Sequence, residues 1–260
     1  MGQEGSVFVA CSTLCFASLP LDAVLRRMIE YEFNKIDLAI HEQGPHLRPS
    51  EVAENPEAAL LQLRAGPSLT VASLDLDFGP VDAETLTKRF TAMCRFARAL
   101  TVAVLSVPAA PRGSSFDAEV RRLSGLVDIT RREGLVLAVP THRDAITAIP
   151  QDARRLCESV PGLGLVLDPG HILNGPHQSE EYDELFTYAK NVHLRDSGKK
   201  PGELQLRVGQ GQIEYGRIVN MLERVGYNRG LTVAIFDKPE NDFDVELEVR
   251  KLKLLLESLL

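Results

Sequence analysis

Short apolar runs alternate with segments of helical periodicity along the whole chain, and the pair recurs eight times. The first run, Val7 to Cys11, precedes Leu21 to Phe33, where Leu21, Val24, Leu25, Met28 and Ile29 fall at helical spacing. Lys35 to Ile40 is followed by a long polar loop and a helix through Ala58 to Leu63. Leu69 to Leu76 goes with a helix over Ala83 to Leu100, and Val102 to Val107 with one over Phe116 to Arg132. Gly134 lies just past that helix, where a left-handed cap needs a residue without a Cβ. The second half repeats the unit. Leu135 to Val139 goes with Asp144 to Glu158, and Leu163 to Leu167 with Glu181 to Ala189. Asn191 to Leu194 goes with Tyr215 to Val225, and Leu231 to Phe236 with Val245 to Leu259. Strands this uniformly apolar are buried on both faces, and parallel strands need the crossovers that helices supply. The pattern predicts a single domain over 1–260, a (β/α)8 barrel of eight parallel strands surrounded by helices. A doubly wound open sheet would favour a glycine-rich first turn, and Cys11-Ser12-Thr13-Leu14 has no glycine.

Composition narrows the function classes. Hydrophobic residues at 44%, charged residues at 25% and a net charge of −7 describe a globular protein without the basic surface that nucleic acid or anionic lipid requires. The four cysteines include no C-x-x-C pair, so reduced thiols are expected rather than a disulfide framework or zinc knuckle. No apolar stretch approaches the roughly 20 residues of a membrane span. The N-terminus lacks a basic region followed by an apolar one, so a cytoplasmic location is the expectation. Met1 to Ser6 formally fits a myristoylation pattern, but Ser6 runs straight into the first strand.

In a barrel of this kind, chemistry belongs at the C-terminal ends of the strands. Strand two ends in His41-Glu42, strand five in Pro140-Thr141-His142, and strand six in Asp168-Pro169-Gly170-His171. Strand seven carries His193 and ends in Asp196. Four of the six histidines therefore fall at or just past strand C-termini. A carboxylate and an imidazole on adjacent strands, Asp168 and His193, suit one divalent cation if further oxygen donors are near. Asp196 is placed to orient a neighbouring imidazole. Asp-Pro-Gly also makes a plain turn, which is the competing account of Asp168.

These segments resemble the xylose-isomerase-like TIM barrel superfamily, in its sugar phosphate isomerase/epimerase branch. Leu167-Asp168-Pro169-Gly170-His171 resembles the family's D-x-G-H element, and Val192-His193-Leu194-Arg195-Asp196 its H-x-K-D strand. Val208 to Tyr215 is similar to V-G-x-G-x-(I/V)-D-(Y/F), and Gly226 to Gly230 to the G-Y-x-G turn with one extra residue. The likeness spans Gly134 to Phe236, and the first half agrees only in its order of elements. The resemblance implies a divalent metal, Mn²⁺, Mg²⁺ or Zn²⁺, held by Glu, Asp, His and Glu from strands five to eight. The glutamates would move protons while the metal polarises a substrate carbonyl. It places Asp168 and His193 as metal ligands. The two glutamates are absent, because their positions hold Pro140 and Ala234.

Three readings follow. The chain is an isomerase or epimerase relative with altered chemistry, with His142, His171 or Asp237 as catalytic candidates and Glu203 as a further acid. Alternatively it is a catalytically inactive sugar-binding or regulatory barrel. The third reading, an apurinic-endonuclease-like phosphodiesterase, fits poorly with the acidic charge and the missing glutamates. In the first two, a small sugar or sugar-derived ligand is the partner, and His142, His171, Asp196 and Arg207 are its candidate contacts. Lys199 reads as a solvated loop charge. Barrels of this superfamily often pair, so a homo-oligomer is a further expectation.

Overall fold

The computed structural model describes residues 6–176 and 181–260. The myristoylation pattern falls almost wholly on residues 1–5, outside that range. Eight parallel strands close into a barrel in sequence order, β1 pairing with both β2 and β8. They are β1 (Phe8–Ser12), β2 (Lys35–His41), β3 (Thr70–Asp77), β4 (Val104–Ser106), β5 (Val136–Pro140), β6 (Gly164–Leu167), β7 (Ala189–Leu194) and β8 (Gly230–Val233). The expected (β/α)8 TIM barrel is the fold observed.

The outer layer is α1 (Leu21–Glu30), α2 (Pro49–Glu54), α3 (Pro56–Arg64), α4 (Ala83–Ala99), α5 (Phe116–Arg132), α6 (Pro150–Ser159), α7 (Pro169–Leu173), α8 (Tyr215–Arg224) and α9 (Val245–Ser258). Their starts are written in the sequence. Asp82, Ser115 and Asp244 each accept a backbone N–H of the first turn, and Pro56 and Pro150 sit where a missing N–H costs nothing. α1 turns Leu21, Val24, Leu25 and Met28 of the predicted stripe onto the barrel, while Ile29 is left exposed.

Two connections differ from the periodicity. The segment before β7 is a 3₁₀ helix, Asp183–Tyr188, rather than an α-helix to Ala189, because Ala189 already pairs with Leu165. The crossover after β5 begins with a 3₁₀ turn, Ile146–Ala148, and turns α-helical only at Pro150. Proline forces the preceding residue out of helical geometry, and Ile149 is accordingly extended.

The main core fills the space between strands and helices, with Phe33, Phe90, Phe96 and Phe186 among its largest buried side chains. Val104, Ala138 and Val166, on β4 to β6, form a small apolar cluster of their own. On β2, β3, β7 and β8 polar side chains are buried as well, namely Asp37, Ser73, Asn191, His193 and Thr232. Among the described residues, no helix is long and apolar enough to cross a membrane.

Candidate active site at the barrel mouth

The strand order brings Asp168, His193, Arg195 and His171 together at the C-terminal mouth. Asp168 caps α7 by accepting the His171 backbone N–H at 3.1 Å, and its own N–H donates to Thr141 Oγ1 at 2.8 Å. Its carboxylate also pairs with the Arg195 guanidinium, and both side chains are about 97% withdrawn from solvent, at 3% and 2% exposure. Burial alone would raise the Asp168 pKa, but Arg195, then His171 and His193, hold it below the usual carboxylate value. Arg195 packs its guanidinium carbon 4.5 Å from the centre of the Phe236 ring. Its Nε is buried without a hydrogen-bond partner among the described residues.

His193 is paired with a carboxylate other than Asp168. Its Nε2 lies 2.9 Å from Asp37 Oδ2, and both side chains are buried. Burial would lower its pKa, but the Asp37 carboxylate raises it overall. Ser73 donates to the other Asp37 oxygen, Asn191 donates to Ser73 at 3.2 Å, and Thr232 donates to Asn191 at 2.9 Å. This chain of hydrogen bonds crosses the barrel interior from β8 and β7 to β3 and β2.

The His142 and His171 rings touch, with their centres 4.0 Å apart. Burial lowers both pKa values, and for His171 it outweighs Asp168 and brings the value down to about 3. Two neutral rings are therefore held in close contact, tilted 37° to one another. Asp196 is spent on the following loop, accepting from the backbone N–H groups of Gly209 at 2.7 Å and Gly211 at 2.9 Å. That loop is the V-G-x-G segment. Gly209 has a φ of +89°, and a Cβ on Gly211 would fall 2.1 Å from the Asp196 carboxylate. Asp237 accepts the Ser18 N–H at 3.1 Å, and Arg207 donates to the Asp242 carbonyl at 3.0 Å. Glu203 accepts the Lys200 N–H at 3.0 Å, and Lys199 is exposed. Asp237, Arg207 and Glu203 thus hold loops together, whereas His142 and His171 lie beside Asp168.

The mouth also holds residues whose roles the sequence did not single out. On β2 to β4, His41 Nε2 meets Asp75 Oδ2 at 3.1 Å, and Ser106 donates to the other Asp75 oxygen at 2.9 Å. Asp37, Ser73 and Asp75 were visible as polar residues at alternate positions in otherwise apolar strands, a signal of period two.

A family model described as xylose isomerase-like TIM barrel matches residues 25–255. The chain belongs to the xylose isomerase-like TIM barrel family. No curated protein matches it in sequence. Among solved structures, it resembles a xylose isomerase domain protein from Alicyclobacillus acidocaldarius with a TM-score of 0.75 and 17% identity, over 98% of each chain. A xylose isomerase-like TIM barrel protein from Mycobacterium smegmatis, in complex with magnesium, gives 0.74 and 18% over 97% of each. D-allulose 3-epimerase from Methylomonas sp. gives 0.72 and 14%, over 98% of this chain and 99% of that one. At these identities the likeness is one of fold.

The family's divalent metal does not fit the donors present here. Asp168 is neutralised by Arg195, and Pro140 and Ala234 offer no side-chain donor, so that His193, whose Nε2 is on Asp37, would bring Nδ1 alone to an ion. Among the described residues no three His, Cys, Asp or Glu side chains converge as a metal group.

Proposed function

We propose that this xylose isomerase-like barrel binds or acts on a small sugar or sugar-derived ligand at its C-terminal mouth without a divalent metal. The Arg195–Asp168 pair carries this reading. A site with three carboxylates needs a divalent cation to balance it, but with Pro140 and Ala234 in place only Asp168 remains, and one guanidinium balances it. A buried, planar, permanently charged group is a lasting substitute for an exchangeable ion. Structural neighbours that include an epimerase and xylose isomerase-like proteins support a sugar as the ligand class.

Metal-stripped protein is to be titrated by calorimetry with Mn²⁺, Mg²⁺ and Zn²⁺, and its melting followed across a panel of sugars and sugar acids. The expected result is no stoichiometric metal binding and a rise in Tm with a sugar in metal-free buffer, since a ligand specific for the folded state stabilises it. Tight metal binding that disappears in Asp168→Ala would overturn the metal-independent reading. A panel that shifts nothing would remove the sugar.

A further inference from the structure

The motif residues on β6 and β7 are packed away, yet the opposite side of the mouth is open. The His41 and Asp75 side chains are 22% and 17% exposed, against 3% or less for Asp168 and Arg195. All three members of the His41–Asp75–Ser106 cluster sit at or near strand C-termini, with Asp75 opposite Ser106 and His41 opposite Asp77 in the sheet register. Asp77 in turn lines an open cleft of about 410 Å³ beside the mouth, between the loops that follow β3 and β4.

We propose that His41, Asp75 and Ser106 form a hydroxyl-binding subsite for an uncharged sugar, rather than for a sugar acid or phosphate. This rests on the sugar-ligand reading above and names where that ligand docks and what charge it has. Asp75 holds Nε2 of His41, and Nδ1 has no protein hydrogen-bond partner among the described residues. With Nε2–H donated to Asp75, a neutral His41 presents Nδ1 as an acceptor. As the imidazolium it presents Nδ1–H as a donor. A sugar hydroxyl can donate or accept, so it suits either state. A carboxylate or phosphate only accepts, so it needs the imidazolium and must also approach Asp75 and Asp77 against their charge.

The groups that act on His41 come from several elements. Burial lowers its pKa, and Asp75 and Asp77 on β3, with Asp37 on β2, raise it overall. His46, in the loop after β2, is a further titratable neighbour, itself held low by burial and by His41. His193 on β7 is linked to the cluster through Asp75. Binding of a neutral sugar should therefore be nearly flat across the pH range in which His41 titrates.

The test follows the His41 Hε1 signal by NMR, identified by its loss in His41→Gln. Wild-type protein is titrated with neutral pentoses and hexoses, and with gluconate and fructose 6-phosphate as anionic counterparts. A neutral sugar is expected to move the signal. Its affinity should fall about tenfold in His41→Gln and several-fold in Ser106→Ala, the scale of one lost hydrogen bond in a partly buried site. Affinity should also change little between about pH 6 and 9. Tighter binding of either anion, or sugar binding unchanged in both variants, overturns the subsite while leaving a sugar site elsewhere on the mouth. If nothing binds the wild type, the sugar-ligand reading fails and the subsite with it.

Discussion

Arg195 and Asp168 sit on neighbouring strand ends and neutralise one another out of contact with water. Removing one partner of such a pair strands the other charge, which costs about 3–5 kcal/mol. Arg195→Ala should therefore lose stability on that scale in urea denaturation. Low millimolar guanidinium, far below denaturing concentrations, should return part of the loss by occupying the vacated space. Equal behaviour with and without the ion would mean that the lost packing on Phe236, not the charge, held the site together.

The same pair decides what restoring the missing glutamates can do. Pro140→Glu with Ala234→Glu adds two carboxylates, but Arg195 still occupies Asp168. Calorimetry should show no Mn²⁺ uptake in this double variant, and uptake only when Arg195→Ala is added. Stoichiometric uptake by the double variant alone would show that Arg195 yields readily to an ion.

His171 should make the protein acid-sensitive. Its folded pKa, depressed by burial to about 3, lies below the unfolded value of about 6.5. Above the unfolded value both states are neutral and His171 contributes nothing to pH dependence. As pH falls below it, only the unfolded chain takes up the proton, so stability declines by up to about 1.4 kcal/mol per unit. His41 and His193, whose folded values are raised, act in the opposite sense. Their contribution is full below the unfolded value and fades as pH rises through the folded ones. The comparison that isolates His171 is His171→Asn against wild type between about pH 7 and 4, where the variant should show the shallower slope. Parallel profiles would contradict a buried neutral imidazole.

Gly211→Ala should detach the loop that Asp196 grips, because the added methyl falls on the carboxylate. Limited proteolysis is expected to cut within residues 198–212 in this variant, while leaving the wild type intact there. Asp196→Asn, which weakens two backbone hydrogen bonds without a clash, should fall between them.

The eight strand–helix units were legible because buried parallel strands are largely apolar along their length, and the site's location followed from the barrel. What Asp168 and His193 do was not legible. Their partners, Arg195 and Asp37, lie 27 and 156 residues away, and local pattern carries no information on pairing across a barrel. Arg195 did share the inward parity of His193, and that was the available hint. Asp196 and the two glycines of V-G-x-G belong to separate motifs in the sequence, and their shared purpose lies in the loop's N–H groups converging on one carboxylate. The segment over 181–189 misled because helical spacing persists where the next strand has begun.

The Ser73 hydroxyl has a single proton, and it goes to Asp37. Asn191 must then offer its amide N–H₂ to Ser73, which turns its carbonyl toward Thr232. Every donor from Thr232 onward points the same way, and the line ends at the carboxylate that holds His193. The interior of the barrel is thus polarised in one direction, so a substitution at Thr232 on β8 is felt at an imidazole it never touches.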